Sequence, residues 1–533
     1  MTGEDYSSRL PTEMMASIFD LLAQPDVLRV ARVCHRWRAV ARSLPTFYAH
    51  LALKTEDLDS LPAYRQKLEQ YTRRMRDAAG AGFRLSLTLN VQWDEDLISD
   101  DSGSYNSRDT HNLDKSMSTL VHQTVIRALP EYLASIIQLH VSLPQICFHN
   151  LQKSLVRPAP ELQSMTLDNL DDGDFDLAID LFSGHAPKLT TLRLTNVGLR
   201  GKPSVPALSA VCSLHLEYYT DSIIPHIAAN FPALQHLTIE DLDSAEENAE
   251  DVSLALAPCC ALETLVVTLG VVERGLPVAL EAFLNAQSIP RIYFRLYYGY
   301  DGDVGVAVGS LLARFHSPVH LSLYLLDETE KDAVPEPLLV HEIAGRSGYP
   351  TGSHLVIELH SVDNNTRLTI LVDHEESPSV VGRVVSSIPN LVTELNLGLA
   401  DEEDGQHFTS LPQLTILRVY LDTLDNRYGW EIDVFDNHGP AVRCPCLDQV
   451  VICTSGRYGL ERLQVIRAIL REFVLTDSAR PRPLLVLQGE PLPELVTSPL
   501  LLSCVRGITV GPRHAFSKTA ECCSTAHVSL VSG

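Results

Sequence analysis

Short runs of alternating apolar residues return along this 533-residue chain, and stretches of helical periodicity lie between them. The clearest runs are LQSMTL at Leu162–Leu167, LTTLRL at Leu189–Leu194, LQHLTI at Leu234–Ile239 and LETLVV at Leu262–Val267. Weaker forms follow at Pro290–Leu296, Pro318–Leu323, Leu391–Leu397 and Leu414–Val419. Alternation of this kind predicts strands with one buried face. The anchors Met165, Leu192, Leu214, Leu237, Leu265, Ile292 and Leu321 follow one another at 27, 22, 23, 28, 27 and 29 residues. Helical stretches at Asp174–Phe182, Ile223–Phe231, Val278–Leu284, Val304–Phe315 and Val380–Ile388 fill the gaps. One strand and one helix cannot close a core alone, so successive units must cover each other.

This period and the LxxLxL runs resemble leucine-rich repeats, with Asn169 and Asn196 near the turn after the strand. The resemblance implies an irregular α/β solenoid over residues 119–511. The rival is a single closed α/β sheet, in which the same runs are buried strands between helices. Beyond Leu325 the spacing becomes irregular, although Ser353–His360, Leu368–Val372, Val450–Ile452, Leu484–Leu487 and Gly507–Val510 read as strands and Leu460–Leu475 as a helix. The residues between the anchors, among them Arg193, His215, Glu217, Thr238, Glu240 and Thr268, face away from the core. Tyr and Arg dominate protein interfaces. Tyr293 and Arg295, with Tyr324 expected on the neighbouring strand, are therefore the candidate substrate-binding patch.

Ahead of the repeats, Leu10–Leu53 has a different pattern. Pro11 suits a first helical turn, and Met14, Ile18 and Leu22 recur at i, i+4, i+8 beside Met15 and Phe19. Gln24, Pro25 and Asp26 break this helix, with Asp26 as the expected N-cap of a second one carrying Val27, Leu28, Val30 and Val33. A third helix, around His35–Arg42, carries Trp37 and Val40. The order Leu10, Pro11, Glu13, Ile18, Phe19, Leu22, Val27, Leu28, Val33, Cys34, Trp37 resembles an F-box, with Tyr48 where that family often has a second Trp. The resemblance implies docking on a Skp adaptor, and through it on a cullin, by Leu10, Pro11, Ile18, Phe19, Leu22, Leu28, Val33, Cys34 and Trp37. The chain then reads as an F-box over 1–53, a helical linker and first strand over 54–93, an acidic mobile insertion over 94–118, the repeats, and a tail over 512–533. The bland counterpart is an N-terminal helical cap whose Trp and Cys are only core.

Composition narrows the function. Hydrophobic residues make up 45% and charged residues 20%, as in globular proteins, and the net charge of −25 disfavours nucleic acid. No apolar run approaches a membrane span, and no secretory leader is expected. Eleven scattered cysteines suit reduced thiols, hence a cytoplasmic or nuclear setting. No P-loop, zinc-protease helix or nucleophile elbow is present, and His438, Cys444, Cys446 and Cys453 match no standard finger, so no catalytic residue, metal or cofactor is expected. The expectation is a non-catalytic substrate-recognition subunit of a ubiquitin ligase, holding an unidentified protein substrate. The alternative is an F-box and repeat scaffold acting outside any ligase.

Overall fold

The structure is a computed structural model. It describes residues 10–54, 61–91, 116, 118–171, 175–199, 204–217, 224, 226–242, 261–269, 276–296, 308–309, 311–326, 354–363, 366–373, 384–398, 410–420, 442–457, 466, 469–470, 482–490 and 499–511. The chain divides into two compact units, the first Met1–Glu240 with Glu250–Leu262, the second Asp241–Ala249 with Glu263–Gly533. The tail over 512–533 and nearly all of 94–118 lie outside the described residues. No described helix is long and apolar enough to cross a membrane.

The first unit opens with α1 (Thr12–Asp20), α2 (Gln24–Val30), α3 (His35–Arg42) and α4 (Pro45–Tyr48). A parallel ladder follows: β1 (His50–Lys54), β2 (Leu85–Asn90), β3 (Ile136–Leu143), β4 (Ser164–Asn169), β5 (Thr191–Thr195), β6 (Ser213–Glu217) and β7 (His236–Leu242). Leu51, Leu87, Leu139, Met165, Leu192, Leu214 and Leu237 are cross-strand partners in one continuous row, and all are buried. The repeat therefore begins at His50, inside the segment read as F-box. Residues 54–93, read as a helical linker and first strand, hold α5 (Leu61–Gly80) between β1 and β2. Its Leu68, Tyr71 and Met75 are buried, and the Tyr71 hydroxyl donates to the carbonyls of Leu51 (3.3 Å) and Thr88 (3.2 Å).

Short side chains manage the turns. Asn196 adopts a left-handed φ of 53°, a conformation Asn tolerates better than most residues. Its amide donates to the Asn169 carbonyl (3.2 Å), while the Asn169 amide donates to the Asn196 carbonyl (3.3 Å). Two adjacent turns thus satisfy each other's buried backbone groups. Two of the predicted helices are shorter than expected. In place of a helix ending at Phe182 there is a tight turn, Leu181–Gly184, with Phe182 and Ser183 at positive φ, and within Ile223–Phe231 the described α-helix is Ile227–Asn230.

The second unit holds β8 (Thr264–Leu269), β9 (Arg291–Leu296), β10 (Val319–Leu326), β11 (His354–Ser361), β12 (Arg367–Asp373), β13 (Val392–Gly398), β14 (Ile416–Tyr420), β15 (Gln449–Arg457), β16 (Leu484–Glu490) and β17 (Gly507–Gly511). Chain order is not spatial order here. β9 pairs with β12, β12 with β11, β11 with β10 and β10 with β13, so a hairpin stands between β9 and β10. β11 is antiparallel to both neighbours, and the remaining pairs of this unit are parallel among the described residues.

Candidate functional site

The four N-terminal helices bury one side of a small core and leave another apolar side in solvent. Met15 and Phe19, four residues apart on α1, are buried with Val27, Ala31, Val40, Ala41 and Leu44. Phe19 meets Trp37 with ring centroids 5.3 Å apart. Beside that stripe, Met14, Ile18 and Leu21 recur at i, i+4, i+7 and are 53%, 47% and 88% exposed. Val33, between α2 and α3, is 63% exposed, and Pro11 and Cys34 are exposed too. Exposed apolar side chains normally stand singly on a monomer, and here three stand in one row.

The helix starts differ from expectation in an informative way. α2 begins at Gln24 with Pro25 in its first turn, so Asp26 is no N-cap and instead pairs with Arg29 at 2.8 Å. Gln24 reaches across to donate to the carbonyls of Phe47 (3.2 Å) and His50 (2.7 Å). Cys34 is the N-cap of α3, its Sγ accepting from the Trp37 amide at 3.4 Å. Arg36 donates to the Leu10 carbonyl, fastening the chain start to α3.

The repeat patch expected at Tyr293, Arg295 and Tyr324 does not assemble. Tyr324 lies on β10, and β11 and β12 separate β10 from β9, so the two strands are about 14 Å apart. Tyr293 itself is only 9% exposed, although Ile292, Phe294 and Leu296 take the expected inward register. Its neighbours on the same side, Val266 (β8), Thr369 and Leu371 (β12), are also buried, as is Val356 on β11. Both faces of these strands are buried, as in central strands of α/β proteins.

The first unit behaves oppositely. The residues of β2–β7 opposite the leucine rows are polar at three register levels: Ser86, Gln138, Ser164, Thr191, Ser213 and His236; Thr88, His140, Thr166, Arg193, His215 and Thr238; Asn90, Ser142, Asp168, Thr195, Glu217 and Glu240. Most keep solvent contact. Glu217 accepts from Arg193 (2.8 Å) and Thr195 (3.1 Å), Asp168 accepts from Ser142 (2.7 Å), and His215 Nε2 lies 3.2 Å from Glu240. Burial holds the Asp168 carboxyl above its ordinary range despite the Ser142 bond, and the charge of Glu217 pushes the same way. His215, Glu217 and Glu240 each offer one ligand atom within 4.8 Å of the others. Arg193 already lies on the Glu217 carboxylate, so these side chains form an ion network. In the second unit, Cys444 has its thiol pushed up to about 12 by burial, Cys453 is buried on β15, and His438 is outside the described residues.

Residues 7–54 match the F-box-like family. The chain carries an F-box-like domain. No curated protein matches it by sequence. Among solved structures it is similar to an internalin from Listeria monocytogenes str. 4b F2365, at 12% identity and a TM-score of 0.22, over 72% of this chain and 89% of that one. At that score the likeness adds nothing to the strand ladder, which by itself shows leucine-rich-repeat-like strand–helix units.

The F-box-like domain and the repeats are joined without a spacer. α4 runs into β1, Tyr48 stacks on Phe83 (5.7 Å), and Arg74 of α5 lies 5.5 Å over the Phe47 ring while donating to its carbonyl (3.2 Å). Tyr48, standing in the second-Trp position, thus seals the domain against the first repeat. Of the residues expected to dock an adaptor, Pro11, Ile18, Val33 and Cys34 are exposed, while Leu10, Leu22, Leu28 and Trp37 keep part of their surface. Phe19 is 3% exposed and serves the core. Met14 and Leu21 were absent from that set; their i, i+4, i+7 spacing with Ile18 was the available signal.

Proposed function

We propose that this protein is the substrate-recognition subunit of a cullin-type ubiquitin ligase. Its F-box-like domain docks on a Skp adaptor, and the repeats hold a protein substrate. The observation that carries this reading is the exposed α1 row of Met14, Ile18 and Leu21 on a domain of this family, directly fused to a repeat stack. Such a row gains free energy when an apolar partner covers it. The work done is proximity. Holding adaptor and substrate on one body raises the effective concentration of substrate lysines near a ubiquitin-charged enzyme, and the chain itself needs no catalytic group.

The test is co-purification of adaptor and cullin with the tagged protein. Recovery of both supports the ligase role, adaptor without cullin points to a scaffold outside the ligase, and loss of both refutes the reading. Substrates are then sought by mass spectrometry after ligase activity is stalled.

A further inference from the structure

The two units use the same strand architecture, yet the side opposite the leucine rows carries apolar residues on β8, β9, β11 and β12 and is polar on β2–β7. In the second unit the positions opposite the leucine rows include Val266, Tyr293, Leu371 and Val356, all buried. In the first unit the three corresponding levels from β2 to β7 are polar on every strand. An open face without apolar side chains selects partners through charge and hydrogen bonds. On β4–β7 it carries Asp168, Glu217 and Glu240 against Arg193 alone, a net charge of 1 − 3 = −2 with histidines neutral, on a chain of net charge −25.

The arrangement of these charges is specific. Asp168, Thr195, Glu217 and Glu240 are successive cross-strand partners, so they form one level across four neighbouring strands. Arg193 compensates the middle carboxylate, Glu217. The two flanking ones are Asp168, held by the neutral Ser142 hydroxyl, and Glu240 beside His215. Three strand spacings separate them, about 14 Å at ~4.8 Å per strand. An extended chain advances about 3.4 Å per residue, so residues four apart lie about 14 Å from each other and on the same side.

We propose that the polar face of β4–β7 is the docking surface for an extended basic segment of a protein partner, with two Lys or Arg side chains four residues apart seated at Asp168 and Glu240. Charge complementarity decides the occupant: an acidic segment meets like charge, and an apolar one finds nothing to bury. This inference rests on the reading that the repeats hold the partner and is independent of what the F-box-like domain binds.

The test uses the full chain co-expressed with its adaptor, and fluorescein-labelled serine–glycine peptides carrying two arginines four residues apart. Matched peptides carry glutamine or glutamate instead. Fluorescence anisotropy should show binding of the arginine peptide, weakening with salt. Asp168→Asn with Glu240→Gln should weaken it about tenfold, a few-fold for each ion pair. Glu131→Gln with Glu281→Gln makes the same charge change at exposed positions off this face and should leave binding unchanged. If the first double variant melts below the parent, Thr166→Lys with Thr238→Lys adds repelling charge on the same face and should give the same loss. Equal binding of the arginine and glutamine peptides overturns the proposal, as does an equal loss in both neutralised pairs. An adaptor pull-down on the same samples separates the two readings. Adaptor lost with peptide retained refutes the F-box-like role alone, and the converse refutes only the docking face.

Discussion

Replacing Ile18 and Leu21 by Ala tests adaptor docking more cleanly than any change at Trp37. Each substitution removes three carbons, at about 0.8 kcal/mol of transfer free energy per carbon. Only surface that is exposed in the free chain can be newly buried. With exposures of 47% and 88%, the losses come to about 1 kcal/mol for Ile18 and about 2 kcal/mol for Leu21. If the adaptor covers both, the double variant binds about 200-fold more weakly, at tenfold per 1.4 kcal/mol. Folding should barely change, since these side chains already meet water in the free protein. Trp37→Ala would instead remove the ring that packs on Phe19 and unfold the domain, so its failure to bind would prove little. The assay is isothermal titration of purified Skp adaptor into parent and variant, with melting curves on the same samples. Unchanged affinity with an overlaid melting curve would refute docking through the α1 row.

Arg74→Ala should loosen the F-box-like domain from the first repeat by about 2 kcal/mol, the sum of one charged hydrogen bond and one cation–π contact. Hydrogen exchange should then rise locally at Pro45–Tyr48, with adaptor affinity retained; unchanged exchange would count against the junction. Tyr293→Ala should cost about 3 kcal/mol of stability because the ring is buried, and an unchanged melting temperature would show that this face is open. His320 has its imidazole pKa lowered, first by burial, against the pull of Glu394. A depressed folded value means that the unfolded chain binds more protons, so this contribution is present above the ordinary pKa of about 6.5 and is lost as pH falls through the folded value. The melting temperature should drop between about pH 7.5 and about pH 5.5, and His320→Asn should reduce that drop.

The F-box-like domain was legible because its signal is local, but its inside and outside were not. α1 carries two adjacent apolar rows, Met15–Phe19 and Met14–Ile18–Leu21. Periodicity marks both and cannot say which one the rest of the domain covers. Only the fold decides, by placing Trp37 against Phe19. Asp26 was misread for a similar reason. Asp is a good cap in general, but Pro25 lacks the N–H a helix interior needs and fits the first turn, which moves the helix start back to Gln24.

In the repeats, anchor spacing gave the register of β4–β7, where sequence neighbours are also spatial neighbours, and it failed where they are not. β11 and β12 are separated only by residues 362–366. A parallel crossover needs a dozen or more residues, so strands that close in sequence must pair antiparallel. A hairpin can join a parallel stack only if one of its strands runs against its neighbour, and β11 does so against β10. The hairpin thus displaces β10 from β9 and divides the patch drawn from Tyr293, Arg295 and Tyr324. The short link between the Ser353–His360 and Leu368–Val372 strands contained that constraint. What no local pattern contained is the burial of Tyr293: alternation reports which residues share a face, and only long-range packing determines whether that face meets water.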